Sequence, residues 1–298
     1  MKKKIKCAII GLGKIGLGYD LNKKNQIKTH SKSLFTNKNF SIVGGVDKNF
    51  TRRTIFQKEY NLNSYSSINK MFKFNKPEFV VISTPTETHK KVFDEIAKYN
   101  SVKLILFEKP ISYNLNDLKK IHFISKKKRI KIFINYIRRS NKDFQRLKKK
   151  IQIKSKNIKI NIFYNNGFIN NGIHYLNLLI FYFGKVIKYK ILKIKNKLGK
   201  DFNLDLLILF KNAEAKFFYK SNSVDKDLEI KINKNVLINY KKKGIYYNKK
   251  KIGNNLNFYQ KDIVEQIYRY YKKKKYFLCN FKEHFNDMKL IEQIKNEI

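Results

Sequence analysis

Three glycines lie close together near the start of the chain, in the order Gly11-Leu-Gly13-Lys-Ile-Gly16. They follow a short apolar run that is typical of a buried strand, and they open a segment with a helical pattern. Gly11 would permit a tight turn, Gly13 would let the backbone approach a phosphate, and Gly16 would allow close helix–strand packing. The motif predicts a dinucleotide-binding turn that Lys14 and Ile15 also border. The alternative is a glycine turn without a ligand.

An aspartate, Asp47, ends the next strand-like run, Phe40–Val46. Such a carboxylate can accept hydrogen bonds from the hydroxyls of an adenosine ribose, which favours NAD over NADP. Lys48, Arg52 and Arg53 lie close by and could accommodate a 2′-phosphate, so NADP stays open. Asp47 lies further from the glycines than the usual spacing, which predicts a long first helix and loop.

Polar residues also follow the third and fourth strand-like runs, at positions where strand ends line a cofactor crevice. Thr84-Pro85 begins a turn that reaches His89, although taken alone this turn is more simply a helix cap. Glu108-Lys109 precedes a proline that would fix the next turn. Lys109 could hydrogen-bond a substrate hydroxyl or supply positive charge to a developing alkoxide. All five residues are predicted cofactor contacts.

A histidine, His174, lies in the apolar segment Gly172–Phe183, which has a helical pattern. In a helix, Asn170, His174 and Asn177 would share one face at i, i+4 and i+7. A histidine titrates near neutral pH, so His174 is a natural general acid or base. A core histidine satisfied by hydrogen bonds explains the same spacing equally well.

The elements that would position these residues divide the chain in two. Short apolar runs alternate with helical patterns as far as residue 136, which predicts crossover units on a parallel sheet. Beyond that point strand-like runs follow one another across short turns, which predicts a mostly antiparallel sheet. We predict an α/β chain with a Rossmann domain over residues 1–125 and an α+β domain over 126–298. The first-half strands are predicted at Lys4–Ile10, Phe40–Val46, Glu78–Ser83, Lys103–Phe107 and Lys131–Tyr136, and a helix capped by Asn116 at 116–127.

The composition limits the classes of function. Of the 298 residues 42% are hydrophobic, which is enough for a core in each half. A net charge of +45, from 67 Lys and Arg against 22 Asp and Glu, would suit a partner such as nucleic acid or an anionic membrane. Only seven residues are Arg, the lysines are spread along the chain, and residues with A/T-rich codons are enriched together. This pattern favours compositional drift over specific nucleic-acid binding, with a general attraction to anionic substrates retained.

The sequence offers no metal, export or membrane motif. The two cysteines, Cys7 and Cys279, form no C-x-x-C pair, so neither a zinc site nor a disulfide framework is predicted. The basic and then apolar N-terminus is broken by glycines, unlike a signal peptide, and no apolar run is long enough for a membrane span. We therefore predict a cytoplasmic protein without a metal site.

These motifs, in this order, resemble the glucose–fructose oxidoreductase / inositol dehydrogenase family (Gfo/Idh/MocA) over the whole chain. The specific set comprises the glycine motif, the Thr-Pro-Thr-x-x-His turn at 84–89, Glu108-Lys109-Pro110 and the histidine helix. The resemblance implies a Rossmann domain joined to a domain with an open, largely antiparallel sheet. It also implies an NAD(P)-dependent enzyme that transfers a hydride between the nicotinamide and a carbohydrate-like alcohol or ketone. The open sheet would be a natural surface for a homo-oligomer.

The resemblance further implies roles for single residues. Lys109 would position or polarise the reacting oxygen, and His174 would donate or accept the proton. Many family members have an aspartate four residues before this histidine, whereas this chain has Asn170. An amide can hydrogen-bond but cannot shuttle a proton, so the alternative is a catalytically impaired dinucleotide-binding protein, acting as a sensor or assembly partner.

Some details look closer to family members associated with surface-polysaccharide sugar pathways. The segments that carry this likeness are residues 16–20, 29–30, 135–139 and 171–178. The likeness implies a sugar or nucleotide-sugar substrate, contacted by His30, Arg139 and Asn171 together with His174. A surface or interdomain charge is an equally good interpretation of Arg139.

Overall fold

The chain folds into two compact units in the computed structural model, which describes residues 3–152, 158–222, 225–232, 234–240, 243–254 and 256–298. The first unit comprises Met1–Asn135 with Phe258–Phe285, and the second comprises Tyr136–Asn257 with Asn286–Ile298. The predicted division at 125/126 therefore needs correction. The fifth strand of the first sheet follows residue 125, and a late segment of the chain returns to the first unit.

The first unit contains a seven-stranded sheet in the order β15-β6-β5-β4-β1-β2-β3. Its strands are β1 (Ile5–Ile10), β2 (Phe40–Val46), β3 (Ser64–Tyr65), β4 (Phe79–Ile82), β5 (Leu104–Phe107), β6 (Lys131–Ile134) and the last strand of the chain, β15 (Cys279–Asn280). All neighbours are parallel except β15, which pairs antiparallel with β6. The five predicted strands and the parallel Rossmann order are confirmed. The two-residue strands β3 and β15 are too short to produce a periodic signal.

Helices connect and cover these strands. They are α1 (His30–Phe35), α2 (Phe50–Tyr60), α3 (Ile68–Phe74), α4 (His89–Ile96), α5 (Leu115–Lys127), α9 (Tyr259–Tyr271) and the first turn of α10 (Phe281–Asn296). The predicted cap of α5 is wrong by two residues. Asn114 is the cap, and its Oδ1 accepts a hydrogen bond from the backbone N–H of Asn116 at 2.7 Å.

The return of the chain at residue 258 has a clear cause in packing. Ile263, Val264 and Ile267 of α9 are at most 1% exposed and join the same apolar cluster as the buried residues of β1, β4 and β5. Burying one such side chain contributes about 1.5–3 kcal/mol. The helix α9 is thus part of the core of the first unit.

The connection between β1 and β2 differs from the predicted long helix. After the glycine motif there is a single helical turn, and the chain then leaves the helix through a 3-10 turn at Gly18–Asp20. The helix resumes only at α1, where His30 N and Ser31 N donate to the carbonyl oxygens of Ile15 and Gly16 at 3.1 and 3.0 Å. In an uninterrupted helix these carbonyls would bond residues four positions on.

The inserted loop is closed by one carboxylate. Asp20 is 2% exposed, and its Oδ2 accepts hydrogen bonds from Lys28 N at 2.5 Å and Thr29 N at 3.0 Å. Its Oδ1 accepts from the hydroxyl of Thr29 at 2.7 Å. Thr29 in turn caps α1 by accepting from Lys32 N. The extra distance between the glycines and Asp47 is therefore taken up by a tethered loop.

The second unit contains an eight-stranded sheet in the order β14-β13-β12-β11-β7-β10-β9-β8. Its strands are β7 (Ile158–Tyr164), β8 (Lys188–Leu198), β9 (Asp201–Phe210), β10 (Ala213–Tyr219), β11 (Lys226–Ile232), β12 (Asn235–Tyr240), β13 (Gly244–Tyr247) and β14 (Lys250–Gly253). Only β7 and β10 pair in parallel, so the predicted mostly antiparallel sheet is confirmed. The strand-like run 157–164 of the sequence predicts β7, and its first residue, Asn157, lies outside the described residues.

The helices of the second unit are α6 (Ile137–Ser140), α7 (Lys142–Gln152), α8 (Ile173–Phe183) and the rest of α10. A π-helical turn at Phe168–Gly172 leads directly into α8, the helix that carries His174. Among the described residues, no helix is both long enough and apolar enough to cross a membrane.

Candidate functional site

The glycine turn at the carboxyl end of β1 leaves no room for side chains at two of its positions. Gly11 has φ +101°, and a Cβ there would lie 2.7 Å from backbone atoms of Ser83 and Thr84. A Cβ on Gly16 would lie 2.1 Å from the carbonyl oxygen of Gly11. Glycine is required at both positions, at Gly16 for packing against the turn itself rather than against a strand.

Gly13 differs from the other two glycines because its open side faces a cavity. A Cβ on Gly13 would have nothing closer than the Arg52 Nη1 atom at 3.9 Å. The cavity has a volume of about 590 Å³, within the usual range for small-molecule sites. The backbone at Gly13 is therefore accessible to a ligand, as a phosphate-binding turn requires.

Most residues predicted to bind the cofactor line this cavity. They are Gly11, Gly13, Lys14, Ile15, Asp47, Thr84 and Pro85. Its wall also includes four cationic side chains against two carboxylates: Lys14, Lys48, Arg52 and Lys91 against Asp47 and Glu95. This excess of positive charge suits an anionic ligand such as a pyrophosphate.

Asp47 is held in place at the end of β2 by backbone donors. Its Oδ2 accepts from Leu12 N and its Oδ1 from Asn49 N, each at 2.8 Å. Each carboxylate oxygen can accept a further hydrogen bond, so Asp47 can also accept from ligand hydroxyls. The predicted role of Asp47 at a ribose is compatible with this geometry.

The two neighbouring arginines have different environments. Arg53 Nη1 donates to the carbonyl oxygens of Asp47 and Lys48, each at 2.9 Å, so it is used in closing the turn. Arg52 lies 3.6 Å from Asp47, is about half exposed, and lines the cavity. Arg52 is thus the arginine available to a ligand.

His89 lies in the interior instead of at the predicted cofactor contact. It is 0% exposed, with Nε2 at 2.8 Å from the Thr84 carbonyl oxygen and Nδ1 at 3.1 Å from that of Ile111. Burial lowers the pKa of His89, against the opposing effect of these carbonyls. His89 connects the turn after β4 to the turn after β5.

Glu108, at the end of β5, is also engaged within the protein. Its Oε1 lies 2.7 Å from His30 Nε2 and accepts from Asn135 Nδ2 at 2.6 Å. Burial acts to raise the pKa of Glu108, but His30, Asn135 and the charge of Lys109 together hold it below its usual value. His30 is 0% exposed, so the structure gives it this partner in place of the predicted substrate contact.

Lys109 follows directly and is half-buried. The Lys109–Pro110 peptide bond is cis, and Ile111 N donates to Nε2 of His284 at 3.3 Å. The segment that carries Lys109 is therefore fixed on both sides, by Glu108 before it and by Ile111 after it.

The second unit contains the remaining predicted residues. His174 is half-buried near the start of α8, and its ring meets that of Tyr136 edge-to-face at 5.8 Å. Asn170 lies in the π-helical turn and is exposed. Asn177 is buried, and its Nδ2 donates to Asp287 at 2.6 Å. Asn177 therefore does not take part in the exposed part of the predicted face, and Asn170 lies in the π-helical turn before α8 rather than in α8 itself.

Two predicted substrate residues have partners inside the second unit. Asn171 donates through Nδ2 to Asn165 at 3.1 Å. The guanidinium of Arg139 is stacked at 4.6 Å from the ring centroid of Phe181 and is only 7% exposed. Burial corrects the interpretation of Arg139 as a surface charge.

Sequence reasoning missed one residue that supports the histidine helix. Asp201, at the start of β9, is 6% exposed and accepts hydrogen bonds from Ile169 N at 2.8 Å and Asn170 N at 3.0 Å. A carboxylate at such a position satisfies free N–H groups and interacts favourably with the helix dipole. No local pattern connects Asp201 with residue 170, because the two lie 31 positions apart.

The cavity wall contains further residues that were not among the predicted cofactor contacts. These are Tyr19, Ser66, Ser67, Ile68, Thr88, Lys91, Val92 and Glu95. Tyr19 comes from the inserted loop, and it is 45% exposed. Among the described residues, no group of three or more His, Cys, Asp or Glu side chains is placed to hold a metal ion.

Comparison with known proteins agrees with this geometry. Residues 5–136 match the model of the Gfo/Idh/MocA family, described as an oxidoreductase family with an NAD-binding Rossmann fold. The match confirms the predicted family resemblance over residues 5–136 and the predicted cofactor class, NAD. The cradle at Gly13 and the carboxylate of Asp47 fit such a dinucleotide. Among curated protein sequences, none matches this chain.

Solved structures share the fold over nearly the full length. A myo-inositol dehydrogenase from Corynebacterium glutamicum is 14% identical with a TM-score of 0.73, covering 97% of this chain and 94% of that one. The WlbA dehydrogenase from Bordetella pertussis, in complex with NADH and UDP-GlcNAcA, is 14% identical with a TM-score of 0.73, and the match covers 97% of this chain and 94% of that one. An oxidoreductase from Thermotoga maritima is 17% identical with a TM-score of 0.75, and the match covers 97% of this chain and 95% of that one.

Proposed function

Because residues 5–136 belong to the Gfo/Idh/MocA family of NAD-binding oxidoreductases, we propose that this chain is an NAD-dependent dehydrogenase acting on a CH–OH group of a sugar or nucleotide sugar. The observation that carries the proposal is the cavity at the carboxyl edge of the first sheet. It combines an open glycine backbone at Gly13, a fixed carboxylate at Asp47 and an excess of cationic side chains.

In this proposal the first unit binds the cofactor. The backbone at Gly13 would hold the pyrophosphate, and Lys14 would contribute positive charge. Asp47 accepts hydrogen bonds from the adenosine ribose. NAD, when bound, supplies the acceptor for a hydride.

The chain's own residues move the proton and stabilise the charge. When the alcohol is oxidised, with bound NAD as the hydride acceptor, His174 would take the proton of the hydroxyl. Lys109 stabilises the negative charge that develops on the oxygen. Reduction of the ketone uses the same steps in reverse, with His174 donating the proton.

Asn170 determines how this proton can leave the site. An amide cannot take a proton from His174, so the proton passes from the half-exposed imidazole to solvent.

The proposed substrate class rests on two lines of support. The segments around His30, Arg139 and His174 resemble family members associated with surface-polysaccharide sugars, and a structure with the same fold binds the nucleotide sugar UDP-GlcNAcA. The strongly positive chain would also attract an anionic nucleotide sugar over long distances.

The experiment is a steady-state assay of nicotinamide reduction with free sugars and nucleotide sugars, using wild-type protein, Lys109→Ala and His174→Ala. Each substitution should lower kcat roughly 10²–10⁴-fold, the usual contribution of a positioned proton-transfer group. The exposed residues Lys120 and His122 provide matched controls, as Lys120→Ala and His122→Ala. Full activity in both Lys109→Ala and His174→Ala would remove the assignment.

A further inference from the structure

A buried polar cluster surrounds Glu108, the residue before Lys109, in the first unit. His30 contributes Nε2 and Asn135 contributes Nδ2, and both lie within 2.7 Å of the same oxygen, Oε1 of Glu108. Glu108 is the residue directly before Lys109. The position of Lys109 therefore depends on how this carboxylate is held.

His30 belongs at the same time to the cofactor turn. Its backbone N–H donates to the carbonyl oxygen of Ile15 at 3.1 Å. The next residue, Ser31, donates to the carbonyl oxygen of Gly16 both through its N–H at 3.0 Å and through its hydroxyl at 2.7 Å. The backbone of His30 and Ser31 thus contacts the glycine turn, while the imidazole of His30 contacts Glu108.

The start of α1 cannot easily move independently of these contacts. The carboxylate of Asp20 holds Thr29 through both its N–H and its hydroxyl. His30 is completely buried. A shift of the glycine turn would therefore be transmitted to the imidazole rather than absorbed in the loop.

Several charged or titratable groups face Glu108 from the surrounding elements. His30 lies on α1, Lys109 follows β5, and the charge of Glu108 also acts on His89 of α4 and on Tyr259 of α9. Removing His30 would leave the largely buried carboxylate of Glu108 without one of its two side-chain hydrogen-bond partners. Breaking the contact between His30 and Glu108 would therefore destabilise the first unit.

We propose that His30 is a positioning residue, which transmits occupancy of the glycine turn to residues 108–111 and so aligns Lys109. This role of His30 rests on the proposed function, because the catalytic role of Lys109 is part of that function. The contacts to Ile15 and Glu108, however, stand without it.

The test uses ADP-ribose, which carries the pyrophosphate but no nicotinamide, so that it cannot contact Lys109 through the reactive ring. Hydrogen exchange is followed by mass spectrometry in peptides that contain residues 108–112. In the wild-type protein, ADP-ribose should slow exchange in these peptides. His30→Leu should still bind ADP-ribose but lose the slowing.

Conservative and matched variants separate a positioning role from a general loss of structure. In His30→Gln the amide Nε2 can replace the imidazole donor, so the slowing should return. Asn135→Ala removes the other bond to Glu108 without touching the glycine turn, so the slowing should persist. His122→Leu repeats the main substitution at an exposed histidine and should have no effect.

Equal slowing in wild type and His30→Leu, or no slowing in wild type, would overturn the proposal. Should His30→Leu fail to fold, the test uses the wild type, His30→Gln and Asn135→Ala. The proposal requires ADP-ribose to slow exchange in all three, so loss of the slowing in any of them would contradict it. In the turnover assay, His30→Leu should lower kcat by roughly 10²-fold, as expected for a misplaced reacting group, and His30→Gln should restore it. Absence of sugar turnover in the wild type would reject the proposed function and leave the exchange result valid.

Discussion

Asp201 occupies the space that a side chain at residue 167 would need. A Cβ on Gly167 would lie 1.9 Å from Oδ2 of Asp201, and Gly167 itself has φ +90°. The same carboxylate accepts the N–H groups of Ile169 and Asn170. The missing side chain of Gly167 therefore makes room for the Asp201 carboxylate, which holds the turn before the helix with His174.

We expect Gly167→Ala to destabilise the second unit by roughly 3 kcal/mol or more, because it combines backbone strain with a buried clash. Urea unfolding gives the free energy. Gly184, at the other end of α8, is the matched control: it has φ +83° but nothing within 4 Å of a Cβ. Gly184→Ala should show only the strain, about 1–3 kcal/mol. Equal effects at the two glycines would show that the clash with Asp201 is unimportant.

Asp201→Ala should lower stability by about 1–3 kcal/mol, because the N–H groups of Ile169 and Asn170 lose a charged acceptor. It should also lower kcat while leaving the affinity for NADH unchanged, since the cofactor cavity is lined by residues of the first unit. Nicotinamide fluorescence measures the affinity. A parallel loss of NADH binding would contradict the assignment of Asp201 to the support of His174.

Asp47 and Arg52 should control the choice of cofactor in opposite directions. Asp47→Asn should weaken NAD binding by roughly 10-fold to 100-fold, as expected for hydrogen bonds to a charged group. Arg52→Ala should weaken NADP binding and leave NAD binding nearly unchanged, because Arg52 lies in the cavity wall without closing the turn. Isothermal titration with both cofactors measures these affinities. Unchanged NAD affinity in Asp47→Asn would place the ribose elsewhere.

Stability should fall as the pH is lowered because of a buried histidine. Burial, and then the neighbouring His89, lowers the pKa of His284 from 6.5 to about 3. Above pH 6.5 both folded and unfolded chains carry a neutral imidazole, so stability is complete there. Below it the unfolded chain binds a proton that the folded chain does not, which costs about 1.4 kcal/mol per pH unit until about pH 3. The lowered pKa of His89 acts in the same direction.

Urea unfolding of wild type and His284→Asn at about pH 7.5 and about pH 5 checks this expectation. Asparagine can still accept the N–H of Ile111 but does not titrate. The variant should therefore lose less stability between the two pH values than the wild type. Identical losses would show that His284 does not bind a proton on unfolding.

The sequence predicted what depends on local patterns. The strand Phe40–Val46 was correct residue for residue, because its apolar run is flanked by clear turns. The steric need for glycine at Gly11 and Gly16 also followed from the motif.

Contacts between distant positions could not be predicted. His30 bonds Glu108 across 78 residues, and Asp201 bonds Asn170 across 31, without any periodic signal. The return of α9 to the first unit was missed for the same reason, since its apolar residues join a core formed by strands far earlier in the chain. The broken first helix was missed because the capping at Thr29 by Asp20 is visible only in three dimensions.

Transfer of deuterium tests the central claim most directly. Sugars and nucleotide sugars with deuterium on the carbinol carbon are incubated with the protein and NAD, and the nicotinamide product is analysed by mass spectrometry. We expect deuterated NADH from at least one of them, with transfer greatly reduced in Lys109→Ala and His174→Ala. Binding of NAD without deuterium transfer from any of these compounds, and without reduction of the corresponding ketones by NADH, would contradict it.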